Sequence, residues 1–88
     1  MLVIVDNSSE NTLGKTVYRL FEKYPVLNGK EIIINSNSGT TQTVFLDAIE
    51  KVVIYNQSMI FYGIAEADDF LNLNNVLSLS IVGEEFNV

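Results

Sequence analysis

The chain lacks the two side chains on which much enzyme chemistry depends: among its 88 residues there is no cysteine and no histidine. The absence of cysteine removes disulfides, thiolate nucleophiles and thiolate metal ligands. The absence of histidine removes the commonest general base and the commonest metal ligand. Any catalysis would have to use carboxylates, hydroxyls, lysine or arginine, so we expect a protein that is not an enzyme, with no catalytic residue, metal site or cofactor.

The first polar residues that could bind a ligand follow the first apolar segment: Asp6, Asn7, Ser8 and Ser9. All are good helix N-caps, and Asn7 with Glu10 three positions later resembles a capping box. The N–H groups at a helix start can instead hold an anion. Because Glu10 would repel a phosphate, helix capping is the favoured interpretation and an anion site is the alternative.

Further polar residues end the later apolar segments: Asn35 and Ser36 follow the second, and Tyr55 and Ser58 follow the third. Ser58 beside Tyr55 could be a nucleophile, but a serine nucleophile needs an adjacent base, and no histidine or nearby lysine exists to serve. We interpret these residues as polar strand ends. Together with residues 6–9 they form the candidate ligand-binding set.

The charges are unevenly placed along the chain, whose net charge is −6. From residue 52 onward there are five acids and no base. A nucleic-acid-binding protein usually carries a basic face that neutralises phosphates, so we expect no nucleic-acid partner. The first three basic residues lie at i, i+4 spacing and would share one face of a helix: Lys15, Arg19 and Lys23. We interpret this face as solvated, and docking on an acidic surface is the alternative. A solvated loop is likewise favoured over a cation site for three acids without EF-hand spacing: Glu66, Asp68 and Asp69.

The apolar pattern predicts strands alternating with helices. Residues 2–5 form a continuous β-branched run, typical of a strand buried on both faces. An amphipathic helix follows and ends before Pro25, and a turn at Asn28 and Gly29 leads to a second strand over residues 31–35. Residues 52–55 and 76–82 are the third and fourth strands, the last resembling an edge strand. We expect Phe21 and Ile33 in the core.

Residues 40–51 are ambiguous. Val44, Phe45, Ala48, Ile49 and Val52 make a helical stripe, whereas strand alternation would place apolar and charged residues on one face, so we predict a helix. Residues 58–70 are predicted to hold a short helical piece and an acidic loop, and residues 83–88 a loose tail. We find no internal repeat and no linker.

These elements predict one α/β domain over residues 1–88 with a mostly parallel four-stranded sheet of order 2-1-3-4, residues 2–5 being central. An antiparallel barrel with a strand over residues 41–47 would contradict this. Ligands of open α/β sheets bind outside the carboxyl ends of the strands, where the strand order reverses. This point lies between strands 1 and 3 and would place residues 6–9 opposite residues 55–58.

Three segments resemble the DsrE-like domain of YedF-type proteins. They are Leu13-Gly14-Lys15 with the later Phe21, the run Ile32-Ile33-Ile34-Asn35-Ser36, and residues 53–64, Val-Ile-Tyr-Asn-Gln-Ser-Met-Ile-Phe-Tyr-Gly-Ile. The resemblance implies a flavodoxin-like three-layer fold, homo- or hetero-oligomeric assembly, and a link to sulfur or selenium metabolism. In active relatives a cysteine after the third strand carries persulfide sulfur.

Tyr55 and Ser58 stand where the family has its two cysteines. A serine hydroxyl ionises far too high to replace a thiolate and cannot hold a persulfide, so sulfur transfer by this chain is excluded. We therefore expect a non-catalytic binding or assembly protein. The alternatives are an acidic inhibitor or decoy that occupies a basic site, and an anion- or small-ligand-binding module. Acids clustered on one exposed face would favour the decoy, and dispersed acids the assembly protein.

Self-association is expected through the consecutive apolar residues Met59, Ile60, Phe61 and Tyr62, too many for one short helical turn to bury. On this basis Phe61→Asp would give monomers. No apolar run approaches the ~20 residues that cross a bilayer, and residues 1–6 have no basic flank typical of a signal peptide. We expect a cytoplasmic protein with no membrane partner.

Overall fold

The chain folds into two four-stranded sheets and one helix, described by a computed structural model for residues 2–24, 30–63 and 68–88. Two short 3-10 turns, Leu46–Ala48 and Leu73–Asn75, each connect one sheet to the other. In chain order the elements are β1 (Val3–Asp6), α1 (Leu13–Glu22), β2 (Glu31–Ser36), β3 (Thr41–Phe45), β4 (Ile49–Ile54), β5 (Ser58–Gly63), β6 (Asp68–Asn72), β7 (Val76–Ile81) and β8 (Glu84–Asn87).

The expected parallel, flavodoxin-like three-layer sheet of order 2-1-3-4 is wrong. Sheet A has the order β1-β4-β5-β6 and sheet B the order β3-β2-β7-β8. Among the described strands only β1 and β4 pair in parallel, and all other pairs are antiparallel. Parallel neighbours need a long crossover, usually a helix. The described part of the chain has one such helix, and three antiparallel pairs, β2–β3, β4–β5 and β7–β8, are joined by short turns.

The segment predicted as a helix over residues 40–51 is the largest local error, and it contains the strand whose presence would contradict the parallel topology. It forms β3, the first 3-10 turn and the start of β4. Threonine and valine in β3 favour a pleated strand. The alternation of apolar and polar residues expected of one strand fails over this segment because the chain leaves sheet B and enters sheet A at the turn. The supposed helical stripe is also not one buried face, since Val44 and Val52 are buried whereas Phe45 is 58% exposed.

The first strand lies at an edge of sheet A and is not central. Its side chains alternate: Leu2 and Ile4 pack against the core, whereas Val3 and Val5 are exposed. The apolar run is therefore not a strand buried on both faces. One face of sheet A packs against α1 and sheet B, whereas on the other face Val3, Val5 and Phe70 are exposed and Val53 is buried.

The core lies between the two sheets and α1. Phe21 is buried there, as predicted, together with Val17 of the same helix. Ile33 is only half-buried, because Ile32 and Ile34 are the residues of β2 that point inward.

Three further predictions about the chain ends and turns differ from the structure. The last predicted strand is present as β7, but it lies between β2 and β8 and not at an edge. Residues 83–88 are not a loose tail, since they contain β8. The helical piece over residues 58–70 is the strand pair β5 and β6. Pro25, the turn at Asn28 and Gly29, and Glu66 lie outside the described residues.

The structure contains an internal repeat that is not recognisable in the sequence. Strand, 3-10 turn, strand and strand occur twice, as β3 to β5 and as β6 to β8. The backbone angles agree closely: φ and ψ are −88° and 113° at Phe45 before the first turn, and −84° and 113° at Asn72 before the second. The first copy passes from sheet B to sheet A, and the second passes back. Each sheet therefore takes one strand from one copy and two from the other.

Candidate functional site

The polar residues after β1 and β4 meet as predicted, because these two strands are parallel neighbours and end at the same edge of sheet A. The Asn7 N–H donates to the Ile54 carbonyl oxygen at 2.7 Å. The Ser9 N–H donates to the Asn56 side-chain carbonyl oxygen at 2.6 Å. Residues 6–9 and the β4–β5 turn therefore form one connected polar cluster.

The Asp6 carboxylate at the centre of this cluster is fully engaged. It accepts hydrogen bonds from the N–H of Ser8 at 2.9 Å, from the Ser8 hydroxyl and from the Lys15 ammonium. Burial alone would raise the pKa of Asp6, but the hydrogen bonds from Lys15 and Ser8 outweigh it, so the pKa lies below its usual value. The hydrogen bond to Asp6 in turn raises the pKa of Lys15. The carboxylate and the ammonium form an ion pair with each other, so neither group is free to exchange a proton with a substrate.

The start of α1 is capped by Thr12 and not by the predicted Asn7 and Glu10 capping box. The Lys15 N–H donates to the Thr12 hydroxyl at 3.2 Å, and the Gly14 N–H donates to the Asn56 carbonyl oxygen at 2.9 Å. These helix-start N–H groups are occupied by the protein's own acceptors, so an anion would have to displace them. Glu10 instead pairs with Arg19 at 2.5 Å.

Gly14 explains how closely α1 approaches the β4–β5 turn. A Cβ atom at this position would overlap the Tyr55 carbonyl oxygen and touch the Ser8 side chain. Glycine inside a helix is usually unfavourable, and here its missing side chain admits the neighbouring backbone. This helical glycine was the one sequence signal of the close contact.

The other predicted ligand residues have structural roles. Asn35 lies in sheet B, where its side-chain amide donates to the Ser78 hydroxyl at 3.0 Å, and the Ser36 N–H donates to the Thr40 carbonyl oxygen at 2.9 Å. Neither residue belongs to the cluster around Asp6. At the β4–β5 turn the Tyr55 N–H donates to the Ser58 carbonyl oxygen at 2.8 Å, which closes the hairpin.

A cleft of about 460 Å³ lies beside the polar cluster. The second 3-10 turn contributes Asn74 to it, which sequence reasoning could not place without the topology. Within the described residues its lining carries no charged side chain: Asn11, Thr12, Leu13, Thr16, Asn56, Gln57 and Asn74. The cleft offers neutral hydrogen-bonding groups but no acid, base or nucleophile suited to catalysis.

The outer face of sheet A carries the second candidate site. The strand register aligns Val5, Val53, Ile60 and Phe70 in a row across all four strands. A second row aligns Val3, Lys51, Tyr62 and Asp68, so it ends in an acidic residue at the β6 edge. We define the apolar face of sheet A as Val3, Val5, Val53, Ile60, Tyr62 and Phe70.

This apolar face is exposed at both of its edges. Phe70 on β6 is 67% exposed and Val3 on β1 is 51% exposed, whereas Val53 at the centre of the face is buried and Ile60 is half-buried. The Lys51 ammonium lies 4.7 Å from the centre of the Tyr62 ring, so this cation covers the aromatic ring at one end of the face.

The segment predicted to mediate self-association contributes only alternate residues to this face. It is the strand β5 and not a helical turn, so its side chains point to opposite sides of the sheet. Met59 and Phe61 are each only 1% exposed and belong to the core. Ile60 and Tyr62 lie on the outer face.

The basic stripe of α1 is occupied within the chain. Lys15 pairs with Asp6, Arg19 pairs with Glu10, and the Lys23 ammonium lies 5.5 Å from the centre of the Phe86 ring. The exposed acids of the described residues are dispersed over the segment before α1, the helix itself, both sheets and the first 3-10 turn: Glu10, Glu22, Glu31, Asp47, Glu50, Asp69, Glu84 and Glu85.

Within the described residues no three Cys, His, Asp or Glu side chains lie together as a metal site would require, and the helix is not long and apolar enough to cross a membrane. Comparison of the chain with protein-family models, with curated proteins and with solved structures found no match.

Proposed function

We propose that this chain is a non-catalytic binding or assembly module whose contact surface is the apolar face of sheet A. The observation that carries the proposal is the row Val5, Val53, Ile60 and Phe70, which crosses all four strands of the sheet. Antiparallel sheets with one solvated face normally place polar residues there. Contiguous exposed apolar patches on small proteins are typical of interaction sites.

The polar cluster supports a structural role more than a chemical one. Its carboxylate and ammonium are paired with each other, and its helix-start N–H groups have acceptors in the β4–β5 turn. A buried, unpaired polar group aimed into a cavity would suggest a missing ligand. In the described part of the chain every buried side-chain polar atom has a partner.

The dispersion of the acids favours the assembly module over the acidic decoy. A decoy for a basic site needs acids concentrated on one surface. Here they lie on separate elements, and the apolar face is flanked by the cation of Lys51. The partner that fits such a face is an apolar, nearly flat protein surface. We place the module in the cytoplasm, consistent with a chain that uses no disulfide.

Site-specific photo-crosslinking in the native cells tests the proposal. A benzophenone amino acid replaces Phe70 on β6 in one variant and Phe45 on β3 in the other. The two phenylalanines are matched, since both are largely exposed and both lie on edge strands near a 3-10 turn. We expect a discrete protein adduct from position 70 and none from position 45. No adduct at position 70, or equal adducts at both positions, would refute the apolar face as the contact surface.

A further inference from the structure

We infer that the occupant of the apolar face is a second copy of this chain, packed face to face about a two-fold axis parallel to the strands. The inference rests on the proposed function, since it names the partner of the same surface. A two-fold interface uses the same patch on both copies, so the patch must be complementary to itself. The apolar face meets this condition in side-chain size and in charge.

Size complementarity follows from the order of residues along the first row. From β1 to β6 the side chains grow from Val5 and Val53 through Ile60 to Phe70. A two-fold axis parallel to the strands reverses the strand order in the second copy. Phe70 then faces Val5 of the second copy, and Ile60 faces Val53. Large residues opposite small ones interdigitate, as close packing requires.

The alternative two-fold axis, in the interface but perpendicular to the strands, fits less well. It stacks β6 on β6 and β1 on β1, so the two Phe70 rings crowd one side and the valines leave a gap on the other. Both axes keep the strands of the two sheets nearly aligned, as stacked sheets prefer, so the sizes of the facing side chains decide between them.

Charge complementarity comes from the second row. Lys51 and Tyr62 are neighbours on β4 and β5, with the ammonium 4.7 Å from the ring centre. Reversing the strand order places Lys51 of one copy opposite Tyr62 of the other, and places Asp68 opposite Val3 at the edges of the interface. Each cation therefore faces an aromatic ring and not a second lysine, and cation–π attraction replaces repulsion.

The size of the face sets the strength of the dimer. Four strands spaced about 4.8 Å apart and four to six residues long present roughly 300 Å² in projection. Stable complexes bury about 800 Å² of accessible surface on each partner. The apolar face is smaller, so we expect a weak and reversible dimer.

Sedimentation velocity of the full chain between about 5 and 500 μM measures the association. We expect the mass to approach twice that of the monomer across this range. Phe70→Asp should weaken the dimer more than tenfold, whereas Phe45→Asp should leave it unchanged. A chain that stays monomeric at 500 μM, or a dimer that survives Phe70→Asp, overturns the inference. Circular dichroism of each variant separates lost association from lost folding.

The orientation is tested by disulfide cross-linking, since the chain has no cysteine of its own. We expect an equal mixture of Val5→Cys and Phe70→Cys chains to form the mixed cross-linked dimer on mild oxidation. Val5→Cys alone should form little, because the axis parallel to the strands separates the two copies of this residue. Preferential Val5→Cys homodimers would overturn the assigned axis.

The photo-crosslinking adduct distinguishes failure of the inference from failure of the proposed function. An adduct at position 70 of twice the chain mass supports both. An adduct with a different protein, from a chain that is monomeric at 500 μM, retains the proposed function and overturns the second copy as occupant. No adduct together with no self-association overturns both.

Discussion

The two candidate regions of the molecule are opposites. The cluster around Asp6 is polar and closed, since its charges and N–H groups are paired within the chain. The apolar face of sheet A has no chemical groups beyond one phenol, yet its edges at Val3 and Phe70 are open to solvent. The polar and charged residues, whose types suggest catalysis or binding, instead hold α1 against the β4–β5 turn. The apolar residues, whose types suggest a buried core, lie on the outer face of sheet A.

The contrast between the two sheets supports the same interpretation. The outer face of sheet B is mostly polar, with Thr41 and Thr43 on β3 and Ser80 and Glu85 on β7 and β8. Its Ser78 is buried by its neighbours and hydrogen-bonded to Asn35. Both sheets are built from the same repeated unit, so topology does not explain the apolar outer face of sheet A. The contact that we propose for this face would explain it.

The largest expected effect is the difference in stability between a substitution on the inner face of sheet A and one on its outer face. Phe61→Asp places a carboxylate in the core and should cost more than about 4 kcal/mol, enough to unfold the chain. Phe70→Asp alters an exposed side chain and should change the free energy of unfolding by less than about 1 kcal/mol. Urea denaturation of both variants measures the difference. A folded, monomeric Phe61→Asp chain would restore the earlier expectation that Phe61 is an interface residue.

The next effect tests whether the polar cluster is closed. Alanine usually stabilises a helix by about 1 kcal/mol relative to glycine. Gly14→Ala should instead destabilise by about 3 kcal/mol or more, because the methyl group meets the Tyr55 backbone, which cannot move without opening the hairpin. Gly39→Ala is the control: it has free space but a φ of 86°, so a loss of about 1–2 kcal/mol from strain alone is expected. A stabilising Gly14→Ala would show that the helix does not press on the turn.

A smaller effect concerns the pH dependence of stability. The pKa of Asp6 in the folded chain lies below its ordinary 3.8, so the folded state binds fewer protons than the unfolded state near that pH. Its stabilising contribution is present above the unfolded pKa and is lost as the pH falls through the folded value. Asp6→Asn should therefore lower stability at pH 7 and flatten its decline below about pH 5. Asp47→Asn, at an exposed aspartate of the first 3-10 turn, is the control and should leave the acid decline unchanged. An Asp6→Asn curve parallel to the unaltered chain would mean that the pair does not contribute.

The sequence predicts helices and strands well where one hydrophobic pattern extends over the whole element. Helix α1 and the strands β1, β2, β4 and β7 are of this kind, and Phe21 is confirmed in the core. Residues 41–49 could not be resolved this way, since a strand of one sheet, a 3-10 turn and a strand of the other share nine positions. The sheet to which each strand belongs could not be predicted either, because a local hydrophobic periodicity carries no information about strand direction or strand pairing.

For the candidate sites, one adjacency was predictable and the rest was not. The expected order placed the first and third predicted strands side by side, and β1 and β4 are indeed neighbours, so residues 6–9 meet the β4–β5 turn. The apolar face required the cross-strand register. Val5 and Phe70 are 65 positions apart in the chain and share a row only through β4 and β5.

The smallest expected effect concerns the basic side chains of α1. The Arg19–Glu10 pair is highly exposed, with side chains 61% and 65% accessible, so Arg19→Ala should change the free energy of unfolding by less than about 0.5 kcal/mol. If association uses the apolar face, the same variant should dimerise like the unaltered chain. Raising the salt from about 50 to 500 mM, which shortens the screening length several-fold, should not weaken the dimer, since apolar contact supplies most of the affinity. Sedimentation at both salt concentrations measures this. A salt-sensitive loss of the Arg19→Ala dimer would move the contact surface from sheet A to α1, where complementary charges would then have to align the two copies.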